Sequence, residues 1–357
     1  MRGFFAWIQR YERHLSAGAM LAGFVFDNLF FSRIDAAETH IVFIAYLAIA
    51  AGAILGWHYL EEYSAEGSLR PKWHSVLPIL IQFALGGLWS GFLIFYSRSA
   101  TLASSWAFLL ILGAMFLGNE LFRRYHARLV FNASLYFFAL YSYAIFAVPL
   151  LTHSIGQKTF LLSGGVALAV FACFVWLLKR SGRFRFLKSV WQIRLSAVVI
   201  LLLMNAFYFM DILPPLPLAL AEGGMYHSLM RVPGGYQATR EAPTWRTSLG
   251  IPPTLHAPRH GSLVAFAAVF APVELSTDIV HEWQRYDSEK RSWQTKLRVS
   301  YPIAGGREGG YRGYSTLRAL EEGSWRVSIK TVDGRLVGRL RFELAFGENR
   351  ELETIRL

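Results

Sequence analysis

The sequence predicts a polytopic α-helical membrane bundle of about seven spans followed by a small all-β, immunoglobulin-like sandwich domain. Three observations carry this. Apolar runs of membrane length recur through the first 213 residues. The last of them, in the stretch Trp191 to Pro217, is closed by Pro214, Pro215 and Pro217. Beyond Gly261 the apolar period changes from helical to two. A run of roughly 18 or more apolar residues spans a hydrocarbon core of about 30 Å, and proline ends a helix because it lacks the amide hydrogen and disfavours helix at the residue before it.

Composition agrees. The chain of 357 residues is 54% hydrophobic and 15% aromatic, and its mean hydropathy is +0.33, more than a soluble core requires. The net charge is +12. Residues 1–262 hold 21 Lys and Arg against 11 Asp and Glu, or +10, and residues 263–357 hold 15 against 13, or +2. The excess therefore belongs to loops flanking a lipid bilayer, and no nucleic-acid partner is expected. The single cysteine, Cys173, permits no intrachain disulfide, so the β domain must be held by packing.

Residues 1–14 place Phe4, Trp7, Ile8 and Tyr11 at helical spacing opposite Arg2, Arg10, Glu12 and Arg13, the pattern of an interfacial amphipathic helix. The transmembrane domain covers residues 15–213, with spans over Leu15 to Phe31, Ile41 to Leu60, Val76 to Tyr96, Thr101 to Leu117, Leu129 to Leu151, Phe160 to Leu178 and Ile193 to Leu213. With the N-terminus inside, thirteen Lys and Arg fall in the cytoplasmic segments and three, Arg33, Arg98 and Lys158, in the opposite loops. That asymmetry follows the positive-inside rule. An odd number of spans sends the C-terminal domain to the extracytoplasmic side of the membrane.

Residues 214–262 read as a Pro/Gly-rich linker, with a short helix near Leu218 to Met230 and an irregular remainder held by Tyr236, Trp245 and Leu249. In residues 263–357 seven short strands are expected: Leu263 to Ala271, Asp278 to Tyr286, Trp293 to Tyr301, Tyr311 to Leu317, Trp325 to Ile329, Leu336 to Leu344 and Glu351 to Leu357. Their alternation gives one face to a core and one to water. Asp333-Gly334 reads as a tight hairpin turn. These strands predict a small antiparallel sandwich.

The segments HEWQRYD at 281–287, TKLRVSYPI, YRGYS at 311–315 and GSWRVSIKTVDGRLVGRLRFEL at 323–344 resemble the C-terminal domain of bacterial membrane proteins catalogued as domain of unknown function 2914. The FVFDNLFFSRID stretch ending at Asp35 is similar to the membrane region found with that domain. The resemblance implies this architecture, a bacterial origin and hence an inner-membrane protein whose C-terminal domain is periplasmic or extracytoplasmic; it brings no activity, cofactor or catalytic residue.

Motifs for chemistry are absent: no Walker-type loop, GxGxxG, HExxH, CxxC or GxSxG occurs. No cofactor, metal or catalytic residue is therefore assigned. Carboxylates at membrane depth are costly unless paired, protonated or turned inward. Asp27 and Asp211, with Arg33, Asp35 and Arg98 on the same side, form a candidate outward-facing pocket; the competing reading makes Asp27 and Arg33 an ion pair and Asp211 a helix-end residue. In the β domain His281, Trp283, Arg298 and Arg312 are candidate recognition residues, although Trp283 and Trp325 also fit a sandwich core. Arg298, Arg312, Arg326, Arg339 and Arg341 fall on the solvent faces of their strands, either solubilising the domain or meeting an anionic envelope polymer or acidic partner. Two functions follow. One is a non-enzymatic, membrane-anchored envelope protein whose β domain binds a protein or glycan; the other is a transporter or enzyme handling a lipid-linked or small polar substrate through the Asp27/Asp211 pocket.

Overall fold

The computed structural model describes Asp27 and residues 36–63, 71–99, 102–121, 129–214, 217–242, 251–272, 275–305, 310–347 and 351–357. The amphipathic helix expected over residues 1–14 lies outside them, as does the first span apart from Asp27, whose backbone is helical. Six further helices are described: α1 (Ala37–Tyr63), α2 (Pro71–Ser99), α3 (Leu102–Leu121), α4 (Leu129–Thr152), α5 (Gln157–Ser181) and α6 (Arg183–Phe209). Five are long and apolar enough to cross a membrane, while α3 carries a shorter apolar stretch, Ser105–Leu117. The expected count of seven is thus not reached among the described residues.

The chain divides into two compact units. One comprises Met1–Ser97, Ala107–Ala147 and Leu162–Ala206; the other comprises Arg98–Trp106, Val148–Leu161 and Phe207–Leu357. In the first unit most of α4 is buried, and aromatic rings fill the gaps between helices. Phe43 stacks on Phe92 with centroids 5.1 Å apart, Trp89 meets Phe138 at 5.5 Å, and Phe137 meets Phe171 at 4.7 Å. Such rings bring large contact areas and favour offset or tilted geometries over face-to-face ones. The outward sides of α1, α5 and α6 expose Ile41, Leu161, Trp191 and Leu202, as apolar helix surfaces in lipid do.

The second unit holds the β domain. Its strands are β1 (Ala219–Tyr226), β2 (Ser228–Val232), β3 (Gly235–Glu241), β4 (Thr254–Ala257), β5 (Leu263–Phe270), β6 (Ser276–Asp287), β7 (Ser292–Ala304), β8 (Tyr311–Leu317), β9 (Gly323–Thr331), β10 (Leu336–Phe346) and β11 (Leu352–Arg356). They form three sheets in the orders β1-β5-β8, β4-β10-β9-β6-β7 and β11-β3-β2. The first two face one another across a core of Leu263, Ala265, Trp283, Leu317, Trp325, Val327, Phe342 and Leu344, extended by Ala267, Val269, Ile279 and Ile329. The reverse side of β5 carries Val264, Phe266 and Ala268, which pack under the third sheet against Ala238, Tyr226 and Leu357. A strand buried on both faces reads as an unbroken apolar run, and LVAFAAVF is one.

Two expectations are corrected here. The stretch read as a linker with a short helix supplies β1 to β4, and β1 pairs with β5 through seven residues. The helical reading fails because Gly223 and Gly224 disfavour helix, while the open edge of β5 offers a full set of backbone partners. The sandwich is not wholly antiparallel, since β4 runs parallel to β10. Asp333-Gly334 does lie in the tight turn that joins β9 to β10, closed by Gly334 N–H to the Thr331 carbonyl and Thr331 N–H to the Arg335 carbonyl, both at 2.9 Å, with Gly334 at φ +85°.

Two side-chain clusters hold this unit together. Glu241, at the end of β3, presents one carboxylate oxygen to His256 Nδ1 at 3.2 Å and the other to the His256 backbone N–H at 2.6 Å and to His227 Nε2 at 3.4 Å. Each oxygen therefore serves a different ring, tying the third sheet to β4. Burial holds His227 below its ordinary pKa, and the Glu241 charge does not restore it. Glu241→Gln is expected to lower the stability of the domain by about 1–3 kcal/mol, read from its unfolding midpoint, because an amide turns a donor toward one of these partners. At the other cluster the Arg335 guanidinium lies 3.9 Å over the Tyr208 ring and donates to the Leu213 carbonyl. Tyr208 in turn stacks on Phe160, and Ile155 packs on the sheet core. The β9–β10 connection is thereby fastened to the chain leaving α6.

A candidate recognition surface on the beta domain

Among the residues proposed for an outward-facing pocket, Asp27 is half-buried and accepts a hydrogen bond from Ser90 Oγ at 2.6 Å in the first unit. Arg33 and Asp35 lie outside the described residues, and Arg98 is described only as backbone near the end of α2. Asp211 belongs to the second unit, where it is exposed at φ +55°. Ile212 and Leu213 N–H groups return to the Phe207 carbonyl at 2.9 and 3.0 Å. This is how a left-handed residue closes a helix, a place that glycine or asparagine usually fills. The geometry gives Asp211 a part in ending α6.

His281 and Trp283, expected on a recognition surface, are instead fully buried between the sheets. They fall in phase with Ile279, so the same alternation that defined β6 points all three inward. Trp283 Nε1–H donates to Ser315 Oγ at 2.9 Å, and the two His281 nitrogens reach Ser315 Oγ and the Tyr301 hydroxyl, both at 2.9 Å. A neutral imidazole satisfies both oxygens, giving a proton to one and taking one from the other. Burial pushes the His281 pKa down to about 4 and raises that of Tyr301. A serine beside a histidine resembles half of a nucleophilic site, but here both are sealed from solvent, at 4% and 0% exposure. This network joins β6 and β7 to β8 across the core. Sequence reading missed Ser315 and Tyr301; the inward phase of His281, which needs a polar partner when buried, was the signal that could have found them.

The outer face of the five-stranded sheet is different. Alternation turns Arg326, Ser328 and Lys330 of β9 outward, opposite the core residues Trp325, Val327 and Ile329. Register sets Arg326 beside Arg341 on β10 and beside Gln284 on β6, and Glu282 between Ser328 and Arg298 on β7. Arg339 lies beside Ser328, with its Nε 3.3 Å from the serine hydroxyl. Glu282 bonds Lys330 and stands 3.3 Å from Thr295 Oγ1. Burial alone would raise the Glu282 carboxyl, but Lys330, Thr295 and Arg298 together bring it below its ordinary value. Asp278 and Glu343 lie toward the ends of the same face.

Among the described residues no carboxylate comes within ion-pair distance of Arg298, Arg326, Arg339 or Arg341. Burial and then the neighbouring guanidiniums hold Arg326 and Arg339 below the ordinary arginine value, with only Glu282 opposing. Arg326 is also fixed in plane: Nε donates to Gln284 Oε1 at 2.7 Å, and the guanidinium lies 4.3 Å over the Trp293 ring. Arg298 is on this face, as expected. Arg312 is not: it lies on β8 and donates to the Leu357 carbonyl at 3.2 Å, closing the C-terminus onto the domain. Among the described residues no group of three or more His, Cys, Asp or Glu is arranged to hold a metal ion.

Residues 276–344, which span β6 to β10 and therefore most of this face, match the family described as Protein of unknown function (DUF2914). The chain carries a C-terminal DUF2914 domain. Among solved structures, an immunoglobulin-like protein from Pseudomonas aeruginosa is 11% identical, with a TM-score of 0.22, over 36% of this chain and 96% of that one. An alkylpurine DNA glycosylase, AlkC, from Pseudomonas fluorescens bound to DNA containing an abasic site analogue is 9% identical, with a TM-score of 0.20, over 87% and 99%. At these TM-scores neither likeness bears on the function. No match is found among curated proteins. The DUF2914 match takes in all the arginines of the face and leaves β1 to β5 and β11 outside the matched segment.

Proposed function

We propose that this is a membrane-anchored, non-enzymatic envelope protein of the bacterial inner membrane, whose apolar helices hold the DUF2914 domain outside the cytoplasm for recognition of a protein or glycan. The observation that carries the reading is the arginine-bearing sheet face. Guanidiniums crowded together with no carboxylate at ion-pair distance repel one another, a state that costs the isolated domain and is relieved when an anion docks. Solubility alone is served as well by scattered charges of both signs. The alternation of basic loops supports the orientation, with the N-terminus inside and the C-terminus out.

The orientation is tested with Cys173→Ser, which removes the native thiol, combined with a cysteine at the exposed Glu289 in the β6–β7 turn. The new thiol is expected to react with a membrane-impermeant maleimide on intact spheroplasts. Labelling that begins only after lysis places the domain in the cytosol and ends the proposal.

A further inference from the structure

Resting on that reading, we propose that the outer face of the five-stranded sheet binds an acidic glycan, its carboxylate or phosphate groups taken by Arg326, Arg339 and Arg341. Arg326 and Arg341 are cross-strand partners, which sets their backbones about 5 Å apart. Arg339 and Arg341 are two residues apart on β10, about 7 Å along the strand. Three positive groups at this spacing on a flat surface suit a polymer that repeats its charge. They also suit it chemically, because a guanidinium offers a planar fork that meets carboxylate or phosphate bidentately. With Nε of Arg326 engaged by Gln284 and its plane held against Trp293, the outer edge of the fork is left toward solvent. It is oriented before the ligand arrives, which lowers the ordering cost of binding.

What surrounds the arginines favours a sugar over a lipid or a peptide. Thr295, exposed on the same face by register, offers a hydroxyl that can give a hydrogen bond to a sugar or take one from it, while Ser328 and Gln284 are buried and hold Arg339 and Arg326 in place. The exposed large apolar residues of the domain, Met230, Ile251, Tyr314, Val332 and Leu352, all lie elsewhere. A membrane surface would call for an apolar residue to insert, and a peptide partner for apolar anchors in pockets. On this face the Trp293 ring is covered by the Arg326 guanidinium, and among the described residues none of its strand positions carries an exposed large apolar side chain.

The experiment is a titration of the full-length, detergent-solubilised protein with fluorescently labelled oligogalacturonate, with dextran of equal length as the neutral control and polyglutamate as the acidic peptide control. The expected result is binding to oligogalacturonate, none to dextran, and a loss of affinity of about tenfold or more in Arg341→Gln and again in Arg326→Gln, as charge-assisted bonds are removed. Arg341 is exposed, so its replacement leaves the fold intact. Preferential binding of polyglutamate, lost in the same two variants, overturns the glycan while leaving the recognition face standing. Absence of any oligogalacturonate binding overturns the glycan as well, and affinities unchanged by the substitutions for both acidic probes overturn the face itself.

Discussion

Replacing Gly313 by alanine is expected to destabilise the β domain by about 3 kcal/mol, at the upper end of what overpacking a core costs. A Cβ at this position would stand 2.2 Å from the Tyr301 ring and 2.5 Å from its hydroxyl. Far ends of flexible side chains can move away from such a clash, but this ring cannot. Its hydroxyl is fixed by His281, and the His281 ring meets it edge-on at a centroid distance of 5.1 Å. Displacing Tyr301 would leave a His281 nitrogen without its partner in a sealed core, adding the cost of an unsatisfied polar group. The effect therefore depends on Tyr301. In a Tyr301→Ala background, where the ring is already gone, the same substitution is expected to cost less than 1 kcal/mol by the coupling of residues in contact, about 2 kcal/mol of interaction energy. Thermal unfolding of the four proteins of this cycle measures the coupling directly; additive effects would show that Gly313 is needed for some other reason.

How far the sequence reached can be judged strand by strand. All seven strands expected beyond residue 262 are present: six have one face on a core and write a period of two into the residues, and β5, buried on both faces, reads as an unbroken apolar run. The strands before that point were hidden for separate reasons. β1, ALAEGGMY, contains a glycine pair and shows no alternation, since its partner β5 is covered on both sides. The β2–β3 hairpin turns on Pro233 and Gly234, the latter at φ +85°, a pairing that favours a tight turn. Read as mere interruptions, these two residues concealed the hairpin. The parallel pairing of β4 with β10 joins segments more than 80 residues apart, and no local pattern encodes such a partner.

The candidate site was legible in part. Alternation alone turned Arg326, Arg339 and Arg341 to the outer face. Whether carboxylates answer them depends on cross-strand register, which a one-residue slip would reverse. Only the structure shows that Glu282 sits among them and is already held by Lys330. The reverse happened with His281 and Trp283: the pattern itself placed them inward with Ile279, and an appeal to their chemistry put them outside.

The second large effect lies in the pH dependence of stability. Acidification from about pH 6.5 to about pH 4 is expected to remove about 3 kcal/mol from the β domain through His281, whose pKa is lowered to about 4 by burial. The sign follows from proton counting. Between these values the unfolded chain binds a proton at this histidine and the folded one does not, so stability is full above the ordinary histidine pKa and falls as the pH drops toward the folded value. The acidic groups act in a lower window: Glu282 sits below its ordinary carboxyl value, so its contribution is present above that value and is lost only as the pH falls through the carboxylate range. His281→Asn separates the two. An asparagine amide has both a donor and an acceptor for this core and no proton to gain. The variant is expected to be less stable at neutral pH and to slope less than the parent from pH 6.5 to 5, the remaining slope being that of His227, which burial also holds below its ordinary pKa. Equilibrium unfolding followed by tryptophan fluorescence, which Trp283 and Trp325 report from beside the network, measures both curves. An equal slope in parent and variant would assign the acid sensitivity to another group, and the His227–Glu241–His256 cluster would be the next to test.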